Sequence, residues 1–352
     1  MLPLVPVPVL AVCGYSGSGK TTLLTQVIPK LVEQGLEVGV IKHDAHGVEV
    51  DLPGKDSDRL FRAGSHVLLR APNETFSRWQ HPPKRDLSWA IRLLAQEVDL
   101  ILVEGHKGVP LPKVWLQYPQ KTEQPPGLEN VRLVLPWGEG RVPAFLAELT
   151  ALLQEGTPPV WAGILMGGQS SRMGTPKQLL HLRGESLLGR LARTLSSKTQ
   201  GLAYLGSGPL PGDAPPAPQL PDPPGPGGPL SGMVAAMRWQ PSVRWLFVPV
   251  DAVALGESLL RWWLERFCPG HWAAILQEPQ GQSVPVFAAV APQLRPFLEA
   301  VWVEGQGPRA LLGHPKSLSL AVPPSLASEL FTVNTWQQWQ QWQNHQQGSQ
   351  ED

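Results

Sequence analysis

Residues 14–21 read Gly-Tyr-Ser-Gly-Ser-Gly-Lys-Thr, a full match to G-x-x-x-x-G-K-[ST]. The context is as informative as the pattern. Val7 to Cys13 is a short apolar, β-branched run that predicts a buried parallel strand. Beyond the loop, Leu24, Val27, Ile28 and Leu31 recur at helical spacing until Gly35 offers a C-terminal stop. A strand, a glycine-rich loop and a helix in that order commit the first part of the chain to an α/β sheet with a phosphate cradle.

The chemistry follows from the residue types. Glycines let backbone N–H groups turn inward around phosphate oxygens, and the helix N-terminus adds a favourable dipole. Gly17, Ser18, Gly19, Lys20, Thr21 and Thr22 form the expected nucleotide-binding set. Lys20 is expected to reach the β and γ phosphates and Thr21 to hold Mg²⁺. A second strand, Glu37 to His43, leads into His43-Asp44-Ala45-His46, and an apolar run, Val98 to Val103, ends at Glu104. Ligands of open α/β sheets sit outside the carboxyl ends of strands, so Asp44 and Glu104 fall where a carboxylate on the Mg²⁺ side is wanted. Glu104 is the chosen metal residue. His43 and His46 have no third ligand at metal-site spacing and are read as loop histidines.

The chain has 352 residues, enough for two domains, with 29 Lys plus Arg balancing 29 Asp plus Glu. No net field or basic stripe marks a nucleic-acid binder. Cys13 and Cys268 alone cannot build a disulfide scaffold or a cysteine cluster, so a reducing, cytoplasmic location is expected. Residues 1–19 lack charge, but they have no basic n-region, and their prolines and glycines break a spanning helix. Neither a secretory signal nor a membrane segment is expected there.

The phosphate loop, Ile41 to His46, Pro53-Gly54-Lys55-Asp56-Ser57 with Arg59, Arg62, Ala63 and Gly64, and Val103 to Lys107 together resemble the molybdopterin-guanine dinucleotide biosynthesis adapter family (MobB type). His106 stands where that family often has an aromatic. The resemblance, over residues 7–150, implies a small GTP-binding protein that assists a guanylyltransferase. No N-K-x-D element is present, so base identity comes from the resemblance alone. An accessory role is expected, because no arginine finger or water-positioning glutamine stands out.

Pro143 to Glu155 predicts the last helix of this domain, and Gly156-Thr157-Pro158-Pro159 breaks it. A new strand, Val160 to Met166, then runs into Gly167-Gly168-Gln169-Ser170-Ser171-Arg172-Met173-Gly174-Thr175-Pro176-Lys177. This second glycine-rich loop can wrap amides around a triphosphate while Arg172 and Lys177 neutralise it. It resembles the L-x-G-G-x-S-x-R-M-G-x-x-K signature of nucleotidyltransferases, and most closely the molybdenum cofactor guanylyltransferase family (MobA type). Related cytidylyltransferases usually carry Ala-Ala-Gly here, and two glycines leave more room for a purine.

That resemblance implies a nucleotide set of Leu165, Gly167, Gly168, Ser170, Lys177, Asp222, Gly232 and Asn334, with Lys177, Arg172 and Asp251 catalytic. Asp222 and Gly228 to Met233 are placed at guanine and ribose. Asp251 ends the strand Trp245 to Val250 as a Mg²⁺ carboxylate, although the usual flanking Cys and Pro are absent; capping the next helix is its competing role. Val284 replaces the family's Gln in Val284-Pro285-Val286-Phe287-Ala288, and Thr332 replaces an Asn in Thr332-Val333-Asn334-Thr335. Arg309 is either a pterin-phosphate contact or a surface arginine.

The expected fold is α/β in two domains. Residues 1–156 form a P-loop NTPase-type, mostly parallel sheet and residues 157–343 a Rossmann-like, GT-A-like nucleotidyltransferase sheet, with 344–352 a disordered polar tail. The expected reaction moves GMP from GTP to the phosphate of molybdopterin, with Mg²⁺ as cofactor and pyrophosphate released. GTP and molybdopterin are the small-molecule partners. Molybdenum-insertion proteins and apo-molybdoenzymes are the protein partners that the resemblance implies. Two alternatives stay open: a cytidylyl or sugar-phosphate nucleotidyltransferase, and a nucleotide-dependent scaffold with a degenerate second domain.

The chain also carries 39 Pro, 35 Gly and 14 Trp. Residues 208–229 hold ten of the prolines and no β-branched or aromatic residue, which predicts a substrate-side loop with a mobile first half. Trp336, Trp339 and Trp342 predict one face of a closing helix.

Overall fold

The computed structural model describes residues 5–42, 51–80, 86–166 and 175–348, with side chains to 344. His43, Asp44 and His46 of the first loop set, and Gly167, Gly168, Ser170 and Arg172 of the second, lie outside the described residues. The chain divides into two compact units, Met1–Val32 with Glu37–Leu152, and Glu33–Leu36 with Leu153–Asp352.

The first unit is an α/β layer built on five parallel strands in the order β2-β5-β1-β6-β7: β1 Val9–Gly14, β2 Val38–Lys42, β5 Leu100–Glu104, β6 Lys113–Leu116 and β7 Val131–Leu135. β1 and β5 are apolar throughout their middles because both of their faces are covered. Helix α1, Lys20–Glu33, buries Leu23, Leu24, Val27 and Leu31, leaving Ile28 half-buried. Helices α2, Asp56–Arg62, α3, Leu87–Leu94, and α4, Arg141–Glu155, complete the unit with a hairpin of β3, Val67–Arg70, and β4, Thr75–Arg78. Asp86 caps α3 by accepting the Trp89 N–H at 3.0 Å. β1 connects toward β2 on one side of the sheet while its neighbour β5 connects to β6 on the other, so the connections diverge at the carboxyl ends of β1 and β5. That is the crevice position for a ligand.

The second unit holds a seven-stranded mixed sheet in the order β12-β11-β8-β13-β15-β14-β16. β8, Val160–Leu165, β11, Gly201–Leu205, β12, Gln219–Leu220, and β13, Arg244–Pro249, run parallel. β15, Ser283–Val290, lies antiparallel between β13 and β14, Ala273–Gln277, and β16, Ser317–Ala321, closes the edge. A small ribbon, β9 His181–Leu182 with β10 Glu185–Ser186, precedes helix α5, Leu187–Ser196. Helices α6 Pro229–Trp239, α7 Glu257–Arg266, α8 Arg295–Val303 and α9 Trp336–Gly348 follow. Trp245 stacks on Phe247 at 5.7 Å, both fully buried in the largest apolar cluster. Truncating either to Ala is worth about 3–5 kcal/mol.

Three expectations change. The Pro-rich stretch contributes β12 to the sheet edge, and its first half is tied down: Asp213 accepts the Ser186 N–H at 2.9 Å, and the Tyr204 hydroxyl donates to Pro215 O at 2.7 Å. Helix α9 continues through residues 344–348, which were expected to belong to a disordered tail. Its tryptophans do not share one face. Trp339 and Trp342 are buried beside Leu180, Leu187 and Val333, while Trp336 is exposed, because a spacing of three drifts about 60° per step from a 3.6-residue turn.

Candidate functional site

In the first unit, β1 ends at Gly14 and the loop turns through Gly17 and Gly19, whose φ angles of 78° and 84° require glycine. The Lys20 ammonium donates to Tyr15 O at 2.9 Å and Gly14 O at 3.2 Å, so it is held over the loop. Burial pulls its pKa down, with Glu104 acting against that. Parallel pairing sets Glu104 level with Val12 on one side and with Lys42 on the other. The Thr21 hydroxyl donates to Glu104 Oε1 at 2.9 Å, and Lys42 Nζ lies 3.8 Å from the same oxygen. Ser18 is fully buried and its N–H closes a turn on Tyr15 O, while Thr22 is exposed on the first turn of α1. A hydroxyl and a carboxylate this close offer the hard oxygen donors that Mg²⁺ takes alongside nucleotide phosphates.

Arg141 was not singled out by sequence. Its guanidinium donates to Ser18 O at 2.7 Å, Gln117 O at 2.5 Å and Pro136 O, through Nε, at 2.6 Å. It therefore straps the phosphate loop to the ends of β6 and β7. Its partners lie up to 123 residues away, so no local pattern could have revealed it.

In the second unit, Lys177 opens a 3-10 turn, Lys177–Leu179. Its ammonium donates to Asp251 Oδ2 at 2.7 Å and to Asn334 Oδ1 at 3.1 Å. The side chains of Lys177 and Asp251 are only 19% and 16% exposed, so solvent screens the pair weakly. Asp251 follows the end of β13, beside β8, and its carbonyl accepts the Val333 N–H at 3.1 Å, which fastens the segment carrying Asn334.

Asp251 does not cap α7. Gly256 occupies the N-cap, and Glu329 Oε2 accepts the Gly256 and Leu259 N–H groups at 3.0 and 2.9 Å. Asn334 is set in turn by Gln338, whose Oε1 accepts the Asn334 and Thr335 N–H groups. Thr335 returns the bond to the Gln338 N–H, making a capping box that the spacing Thr335-x-x-Gln338 could have announced. Thr332, standing where an Asn was expected, has its hydroxyl 3.5 Å from Asn334 Nδ2.

Asp222 follows β12 at the same C-terminal edge of the sheet. Its carboxyl is pushed up by desolvation, with the neighbouring Ser231 side chain pulling it back. Gly232 packs α6 tightly on the sheet, since a Cβ there would sit 3.1 Å from Leu165 and 3.2 Å from Leu205. Leu165 is buried at the end of β8, where its carbonyl accepts the Val250 N–H. Arg309 is exposed and, among the described residues, makes no hydrogen bond or ion pair. Val284 is half-buried against the core. The described residues include no helix long and apolar enough to cross a membrane, and no group of three or more His, Cys, Asp or Glu side chains placed to hold a metal.

Two family models match this chain. Residues 9–135 fit "Molybdopterin guanine dinucleotide synthesis protein B" and residues 162–319 fit "MobA-like NTP transferase domain". The molybdopterin-guanine dinucleotide biosynthesis adapter protein of Haemophilus influenzae is 40% identical over 134 residues, covering 37% of this chain and 74% of the relative. The molybdenum cofactor guanylyltransferase of Rhizobium meliloti is 35% identical over 193 residues, covering 51% of this chain and 87% of the relative. A crystal structure of molybdopterin-guanine biosynthesis protein B aligns over 42% of this chain and 99% of its own, with 25% identity and a TM-score of 0.34.

Proposed function

The chain belongs to two families joined head to tail, the molybdopterin-guanine dinucleotide biosynthesis adapters through its first unit and the MobA-like NTP transferases through its second, and we propose the division of labour that follows. It is a bifunctional molybdenum cofactor biosynthesis protein in which the second unit is the nucleotidyltransferase. GMP passes from GTP to the phosphate of molybdopterin, giving molybdopterin guanine dinucleotide and pyrophosphate. The phosphate monoester is already anionic at neutral pH, so no protein nucleophile is required. Its oxygen attacks the α-phosphorus in line as the bond to pyrophosphate breaks.

The observation that carries the reading is the convergence of Lys177, Asp251 and Asn334 at the C-terminal edge of parallel strands. Catalysis there is positioning and charge neutralisation. Lys177 stabilises charge growing on the triphosphate, and Asp222 accepts N–H groups from the guanine edge. Asp251, with Asn334 beside it, suits Mg²⁺, which needs one or two carboxylates when substrate phosphates complete its shell. Held there, Mg²⁺ would neutralise charge on the leaving pyrophosphate. Arg172, Gly167, Gly168 and Ser170 are assigned to the triphosphate on sequence alone.

In the first unit Gly17 to Thr22 cradle a second GTP, with Thr21 and Glu104 as the Mg²⁺ side. We assign this unit an accessory role: it binds GTP and presents the pterin or a target enzyme. Molybdenum-insertion proteins and apo-molybdoenzymes fit as its partners.

The test is the mass of the product formed from molybdopterin, Mg²⁺ and GTP or CTP. Molybdopterin guanine dinucleotide from GTP is the expected result. Turnover of CTP alone overturns the guanylyl assignment, and parental turnover by Lys177→Ala overturns the site.

A further inference from the structure

We propose that the base of the nucleotide held by the first unit enters the cleft between the start of α1 and the segment after β7, where Glu139 reads a guanine edge and Trp137 stacks on its face. The inference rests on the reading that this unit binds GTP. It supplies what the sequence lacks, a residue that distinguishes one base from another.

The cleft has a volume of about 440 Å³, within the range of small-molecule sites. One wall is Gly19, Thr22 and Gln26, and the other is Trp137, Glu139 and Arg141. Gly19 belongs to the phosphate loop as well, so the cleft opens directly from the cradle. Register places it at the correct edge, because Leu116 pairs with Gly14 on one side and with Leu135 on the other. Phosphates at Lys20 thus leave a base within reach of residues 137–141.

Each wall residue has chemistry suited to a base. Trp137 is 53% exposed, yet its ring is fixed edge-on against Tyr118 at 5.7 Å, with the Arg141 guanidinium 5.0 Å from its centroid. A rigid indole open to solvent is a stacking platform. Arg141 is fastened to main-chain carbonyls and acts as a positioning residue, tying this segment to the phosphate loop.

Glu139 is exposed and, among the described residues, has no hydrogen bond or ion pair. An ionised carboxylate only accepts hydrogen bonds. Guanine offers it two adjacent donors, N1–H and the exocyclic amine, whereas adenine presents an acceptor at N1. Glu139 therefore favours guanine and disfavours adenine.

A plainer role also exists. Glu139 stands just ahead of α4, where a carboxylate suits the helix dipole. That role alone predicts lower stability in Glu139→Gln and an unchanged base preference.

The experiment titrates GDP, ADP and tripolyphosphate calorimetrically into the full chain carrying Lys177→Ala, which blocks turnover at the other site. The component removed by adding Lys20→Ala is first-unit binding. Glu139→Gln and Trp137→Ala are expected to weaken that GDP component about tenfold or more, with the GDP over ADP preference falling equally for Glu139→Gln and tripolyphosphate binding retained. An unchanged preference in Glu139→Gln overturns the assignment of the base. The absence of any Lys20-dependent GDP component in the parent overturns the GTP reading itself, and the base assignment with it.

Discussion

The Lys177 ammonium lies 2.7 Å from Asp251 Oδ2, joining residues 74 positions apart in a pair largely withdrawn from solvent. The two groups, which we propose serve the same nucleotide, neutralise each other. On the proposed assignment Lys177 would turn to the triphosphate and Asp251 would be freed to hold Mg²⁺.

Removing either member should abolish the differential stabilisation of the transition state. Lys177→Ala is expected to lower guanylyl transfer about 10²–10³-fold. Asp251→Asn should lower it comparably and raise the Mg²⁺ concentration needed for half-maximal rate. Initial rates of pyrophosphate release across a Mg²⁺ series check both, and a parental Mg²⁺ dependence in Asp251→Asn contradicts the metal assignment.

Gln338 Oε1 accepts the Asn334 and Thr335 N–H groups, and the Thr335 hydroxyl accepts the Gln338 N–H. Gln338→Ala should loosen Asn334 and cost about 1 kcal/mol of cap energy. The expected signature is a several-fold fall in kcat with a small shift in the urea midpoint. Gln338→Glu, which keeps the accepting oxygen, should recover most of the rate.

Glu329 caps α7 from a distant turn, accepting the N–H of the N-cap Gly256 and the Leu259 N–H, which Gly256 has no side chain to satisfy. Glu329→Ala should destabilise the second unit by about 1–2 kcal/mol. Equilibrium urea unfolding measures it, and an unchanged midpoint would show that water replaces the cap without cost.

Asp58 is 3% exposed and accepts from the Gly54 N–H, Arg78 and Arg62, which hold its carboxyl well below the usual carboxylate range. In the unfolded chain this carboxyl takes up a proton near pH 4. The unfolded state therefore binds more protons in acid, and the stabilisation, complete above about pH 4, is lost as pH falls toward the depressed folded value. Thermal unfolding between pH 2 and 6 should show a steeper acid loss in the parent than in Asp58→Asn.

The elements were legible where one residue type dominates a run. β1, β5, β8 and β13 lie within one or two residues of the expected strands, since apolar, β-branched stretches have few alternatives on a covered sheet. That Lys20, Thr21 and Glu104 come together was legible because strand ends and spacing locate them. Trp336 misled because three-residue periodicity holds a helical face only over a single step and has drifted about 120° by the second. Asp213 hid in a stretch whose composition argued for looseness, and its anchors are Ser186 and Arg193. Arg141 and Glu329 escaped because each acts on backbone far away in sequence, a contact that only the folded topology creates.

The reach of Lys177 to Asn334 spans 157 positions. During synthesis the adapter unit has all of its strands once Leu135 has emerged, and it can begin to fold on the ribosome. The cluster of Lys177, Asp251 and Asn334 waits for a segment made nearly two hundred residues later. On the proposed assignment a nascent chain acquires its nucleotide cradle well before its transfer site, and a chain terminated ahead of Asn334 is expected to bind GTP without transferring GMP.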